Sequence, residues 1–121
     1  MKKFVFSFFV IAFCLSASVF GQIPVKILVE ISKAEDELRY DKTLEDLMKN
    51  ANAEVRARAA LAAGRIGNET AISSLVNLLE NDKIEKVRAT AAFALGEIES
   101  VKAADAVLSG LQNGKNTDAV R

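Results

Sequence analysis

Residues 54–67 read EVRARAALAAGRIG, and residues 86–99 read KVRATAAFALGEIE. The two stretches differ in detail and agree in plan. Val55 and Arg56 return as Val87 and Arg88, and Gly64 returns as Gly96, each 32 positions on. Between those anchors Ala59, Ala60 and Leu61 match Ala91, Ala92 and Phe93, and Ile66 matches Ile98. The register persists downstream, where Ala71 matches Ala103, Leu75 matches Val107 and Leu79 matches Leu111. Self-similarity at this period marks a repeat architecture. One unit cannot bury its apolar face alone, so neighbouring units must cover it.

The offset extends in both directions. Leu44, Leu47 and Met48 stand 31 positions before Leu75, Leu78 and Leu79. Val120 and Arg121 restate Val87 and Arg88 after 33 positions, so the array is expected to be interrupted at the C-terminus.

Each unit divides into two helices. Asn52 can cap the first through its side-chain oxygen. Ala59, Ala60, Ala63 and Gly64 give that helix a stripe of small residues, which lets two helix axes approach closely. Gly67 supplies a left-handed stop. The second copy has Glu99 there, so its turn is expected to close differently, around Ser100. The partner helix is expected over residues 71–80, burying Ile72, Leu75, Val76 and Leu79. Its counterpart is expected over residues 103–111, burying Val107, Leu108 and Leu111, with Gly110 weakening it by ~1 kcal/mol relative to Ala.

Ahead of the repeats, Pro24 suits a helix's first turn. Ile27, Leu28, Ile31, Ala34 and Leu38 follow at helical spacing, with Lys26/Glu30 and Lys33/Glu37 as i,i+4 pairs on the other face. This helix lacks the Val-Arg and Gly anchors and is polar outside, as an N-terminal cap requires. Tyr40 or Asp41 marks the bend into a second helix carrying Leu44, Leu47 and Met48. No alternating strand pattern occurs after residue 21. The expected fold is all-α, an α-solenoid of stacked antiparallel helix pairs. Residues 22–50 form a capping pair in this reading, and residues 51–121 carry the repeats.

The pattern Val-Arg-x-x-Ala-Ala-x-Ala-x-Gly-x-Ile, then Ala-x-x-x-Leu-x-x-x-Leu, resembles the short bacterial HEAT repeat of the PBS-lyase type. Val55, Arg56, Ala59, Ala60, Ala62, Gly64 and Ile66 carry it, then Ala71, Leu75 and Leu79. The second copy runs from Val87 and Arg88 through Ala94, Gly96 and Ile98 to Leu111. The resemblance implies an armadillo-like scaffold, but the family also holds bilin-attachment enzymes and iron-dependent hydroxylases. The hydroxylases bind iron through His-Glu motifs, and this chain has no histidine. Similar stretches precede a cyclophilin-type peptidyl-prolyl isomerase domain in some bacterial proteins; such a domain would lie beyond Arg121.

The N-terminus reads as an export signal. Lys2 and Lys3 form a basic head, residues 4–15 are almost wholly apolar, and residues 16–21 are mostly small. A cut before Gln22 fits Val19 and Gly21, and a cut after Ser18 is the alternative. Residues 4–20 number 17, short of the ~20 that span a bilayer comfortably, which favours cleavage over an uncleaved anchor. The single cysteine, Cys14, lies in that segment behind bulky Phe13, where a lipoprotein site needs a small residue. The expected product is periplasmic or extracellular, without thiols or disulfides.

The whole chain carries 16 basic and 16 acidic residues. Loss of Lys2 and Lys3 leaves 14 basic against 16 acidic, a net charge of −2. A strongly basic footprint for nucleic acid is absent. Without histidine or a mature cysteine, the commonest metal ligands and nucleophile–base pairs are missing. No cofactor and no catalytic residue are expected. Glu35, Asp36, Glu37, Asp41, Glu45 and Asp46 cluster near the cap, but their spacing does not match a calcium loop. Arg56 and Arg88 are expected to brace neighbouring units by pairing with a carboxylate or a loop carbonyl. The rival role is a ladder for anionic groups.

In the arrays this chain resembles, the second helix of each pair lines the concave side. Its non-core positions are Lys42, Thr43 and Asp46, then Ser73, Ser74 and Asn77, then Asp105 and Ser109. They are the candidate surface for another protein. The leading expectation is an exported protein-binding scaffold without membrane contact once the signal is removed. The alternatives are the leading segment of a longer exported enzyme and a bilin lyase. So short an array is also expected to be marginally stable or to self-associate.

Overall fold

The computed structural model describes residues 21–112, apart from the side chain of Leu111. The export-signal segment over residues 1–20, the Val120–Arg121 anchors and the Leu111 side chain therefore lie outside the described residues. Helix α1 (Val25–Asp36) begins directly after Pro24, whose φ is −56° and whose carbonyl accepts the Leu28 N–H at 3.1 Å. The proline thus sets the threshold of the helix and is not inside its first turn. α1 buries Ile31 and Ala34. Leu38, expected on the same face, lies past the helix end and is exposed, with a left-handed φ of 48°. Of the two expected i,i+4 pairs, Lys33–Glu37 forms at 3.8 Å.

Helix α2 (Lys42–Leu47) is capped by Asp41, whose carboxylate accepts the Leu44 N–H at 3.2 Å. Helix α3 (Ala53–Ile66) is capped by Asn52, whose Oδ1 accepts the Glu54 N–H at 2.9 Å. It stops at Gly67, which takes φ 73°. A 3₁₀ turn (Glu69–Ala71) leads into α4 (Ile72–Asn81), so Ala71 belongs to the turn and not to the helix. Helix α5 (Glu85–Glu97) and helix α6 (Val101–Gln112) complete the described residues, which contain no strand.

The second unit stops in the same way as the first, against expectation. Glu99 occupies the position of Gly67 and adopts the same left-handed conformation, with φ 54°. Its N–H donates to Gly96 O at 3.3 Å, as the Gly67 N–H donates to Gly64 O at 3.0 Å. The turn geometry is set by how α6 must pack back on α5, and it overrides the residue's preference. Ser100 acts one step later: its hydroxyl accepts the Ala103 N–H at 3.2 Å and caps α6.

The helices form two rows. The first helices stack α1 on α3 and α3 on α5, and the second helices include α4 packed on α6. Between the rows, α2 packs on α3, and α5 packs on both α4 and α6. One continuous apolar cluster runs through the stack from Ile31 past Leu44, Leu75 and Leu79 to Leu95. Val55 and Val87, the repeat's first anchors, are both fully buried. The tightest seam lies between α3 and α5. A Cβ at Gly64 would sit 2.7 Å from Ala94 Cα, so the missing side chain is what lets these axes close.

Two expectations for α6 are corrected. Leu108 is exposed, and Val107 is only half-buried. Ala103 and Gly110 make the buried contacts, and a Cβ at Gly110 would collide with Leu79 Cδ2. Gly110 therefore exchanges helix propensity for a close approach to α4.

Candidate functional site: the second-helix row and its clamps

The repeat arginine is structural at its first occurrence. Arg56 grips Asp82 through two bonds, Nε to Oδ2 at 2.7 Å and Nη2 to Oδ1 at 3.0 Å. Its Nη1 also donates to the carbonyls of Asn50 and Ala51 at 2.8 and 3.0 Å. One side chain thus ties its own loop to the loop that follows the next helix. The pair is largely shielded, with the two side chains 15% and 6% exposed. Burial pushes the Asp82 pKa up, but the Arg56 bond, the Ile84 N–H and the charges of Arg56 and Arg88 outweigh it, so the carboxyl titrates below its ordinary value. Arg88 repeats half of the clamp. Its Nη1 donates to Asp82 O at 2.9 Å, while its buried Nε has no hydrogen-bond partner among the described residues.

Apart from Asp36, the acidic residues near the cap are dispersed among different basic partners. Glu35 receives Arg58 through bonds of 2.9 and 2.5 Å and Arg65 at 3.3 Å, which fastens α1 to α3. The Arg58 bond, then burial acting against it, then the charges of both arginines leave Glu35 below its ordinary pKa. Glu37 and Asp41 share Arg39, and Glu45 pairs with Lys49 at 2.8 Å. Among the described residues, no group of three potential ligands converges to hold a metal ion.

The candidate binding residues lie on the second helices, in separate places. Ser73, Ser74 and Asn77 on α4 line a cleft of about 200 Å³ whose other wall is Met48 and Lys49 at the end of α2. Asn77 Oδ1 accepts the Asn81 amide at 3.0 Å, which holds Asn77 in place. Tyr40 lies beneath this region; its hydroxyl is buried without a well-formed hydrogen bond among the described residues, and burial pushes its pKa up. Thr43 lines a different cleft of about 240 Å³ between α1 and α2, with Lys33, Arg39 and Asp41. Lys42 and Asp46 are exposed and paired with each other. Asp105 and Ser109 are exposed on α6 and line neither cleft.

Sequence spacing passed over Met48 and Lys49. Met48 reads as core at helical spacing, and Lys49 follows the last full turn of a helix of only six residues. Their place opposite Ser74 depends on how α2 ends, and no local pattern records that. A third cleft of about 210 Å³ opens between the first helices α3 and α5, beside the Glu54–Lys86 ion pair at 2.7 Å.

The family profile described as HEAT repeats matches residues 41–121. No curated protein matches, and no solved structure matches.

Proposed function

This chain belongs to the HEAT-repeat family, and from that premise we propose that it is an exported scaffold holding another protein along its second-helix row, with no catalytic site of its own. The observation that carries the reading is the cleft between α2 and α4, walled by Ser73, Ser74, Asn77, Met48 and Lys49. It offers hydroxyl, amide and ammonium groups around a thioether floor, a mixture suited to a protein surface. Stacked repeats present such a surface already formed, so binding does not have to order it. Export is supported by the basic head and apolar run of the first 21 residues.

The test is capture of the partner from the exported fraction. Ser74→Arg and Asn77→Arg fill the cleft from outside the core, and Lys42→Glu with Asp105→Lys reverse charge along the row. A loss of capture of tenfold or more in the first pair, with the helical signal unchanged, is the expected result. Unchanged capture in all four variants removes the proposal. Fractionation and N-terminal sequencing of the released protein test export; a chain retaining Met1 in the cytoplasm removes that part.

A further inference from the structure

We infer that Gln22 is a modification site, where the side chain closes on the α-amine to leave an N-terminal pyroglutamate. The step rests on the export reading and on a cut between Gly21 and Gln22, which gives the released chain a glutamine as its first residue. A glutamine side chain places its amide carbon where the residue's own α-amine closes a five-membered lactam. The amine nitrogen attacks Cδ, and the Cδ–Nε2 bond breaks. The proton shed by the amine leaves with Nε2 as ammonia, so nothing is oxidised or reduced and no second substrate is consumed. Holding both groups in one residue supplies the proximity that a bimolecular reaction lacks.

The surroundings leave both reacting groups open. Gln22 is exposed, and helix α1 starts only at Val25. The Gln22 backbone carbonyl accepts Asn52 Nδ2 at 3.4 Å, while its side-chain amide and backbone nitrogen have no hydrogen-bond partner among the described residues. That carbonyl lies outside the ring, so closure preserves the bond to Asn52. The bond reaches the cap of α3, because the same Asn52 side chain accepts the Glu54 N–H at 2.9 Å. Ile23, the next residue, is half-buried and lines the cleft between α3 and α5 with Ala57 and Leu61. The released chain therefore meets the stack at its first two residues. An aminopeptidase needs a free α-amine, and its first cut would remove the carbonyl that holds Asn52. The lactam takes away that amine, together with the terminal charge, and so keeps the tie between Gln22 and Asn52.

The test is the intact mass of the full chain, exported with its own first 21 residues and analysed straight from the exported fraction. The expected product has the mass of residues 22–121 less one ammonia. It should resist stepwise N-terminal sequencing until pyroglutamyl aminopeptidase removes the ring, after which Ile23, Pro24 and Val25 are read. Gln22→Asn is one methylene short of closing that ring. Its product should keep the ammonia, be readable from its first residue, and lose that residue to a general aminopeptidase that leaves the parent whole. A released chain with an open, readable Gln22 overturns the inference and leaves export standing. So does a product that starts at Val19, from the cut after Ser18. A chain that retains Met1 removes the export reading and the inference together. Loss of ammonia from Gln22→Asn as well as from the parent places the reaction elsewhere in the chain and also overturns it.

Discussion

Gly64 and Gly96 are one repeat position in two environments, and a single methyl group separates them. At Gly64 the added Cβ meets Ala94 backbone at 2.7 Å, where nothing flexible can yield. Gly64→Ala should therefore destabilise by ~1–3 kcal/mol through overpacking. At Gly96 the same atom meets nothing within 4 Å among the described residues, so helix propensity decides, and Gly96→Ala should stabilise by up to ~1 kcal/mol. Denaturant melts of both variants at low protein concentration check the opposite signs. A second contrast concerns the left-handed stops at Leu38, Gly67 and Glu99, with φ of 48°, 73° and 54°. Only the middle one is the residue that adopts this conformation without steric cost. Glu99→Gly should gain ~0.5–1 kcal/mol, read from the same melts, and Gly67→Ala should lose a similar amount.

Between elements, two carboxylates hold the stack together: Glu35 ties α1 to α3, and Asp82 ties the α3 clamp to the loop before α5. Both titrate below their ordinary values, 4.5 for the glutamate and 3.8 for the aspartate. The unfolded chain therefore binds protons before the fold does, and stability rises with pH across that range. Their contribution is whole above those ordinary values and is lost as pH falls through the depressed native ones. Asp82→Ala should cost ~2–3 kcal/mol at neutral pH, since it strands a shielded guanidinium, and should flatten the acid limb of stability against pH. Urea melts from pH 7 to pH 3 check both effects; an equally steep acid limb in the variant would show that other groups set it. The bracing role of Arg56 was legible because its recurrence beside Val55 places it at the start of a repeat helix, facing the next unit. Its partner was not legible, since Asp82 lies 26 residues away in a loop with no periodic signal. The αL stop at Glu99 was hidden for a related reason. Its conformation answers to the packing of α6 on α5, whereas local propensity favours a different turn. Leu108 has the spacing of a core residue and is exposed, because periodicity defines a helix face without defining what covers it.

Across the whole molecule, stability is a sum of unit and interface contributions, and the interfaces are unequal. α3 is enclosed by α1, α2 and α5, with two arginine clamps reaching out of it. α6 touches α4 and α5, leaves Val101 and Leu108 exposed, and contains Gly110. Opening should therefore start at α6 and reach α3 last. Native-state hydrogen exchange should find α6 amides opening at a free energy lower than those of α3 by ~1–3 kcal/mol, within the spread seen between local and global opening. Residues 22–121 taken alone should melt within or below the usual mesophile range, not above ~65 °C. A concentration-independent, cooperative melt well above ~65 °C, with α6 protected as fully as α3, would mean that the far side of the stack is already covered. The face of α5 that carries no helix among the described residues would then not limit this array's stability.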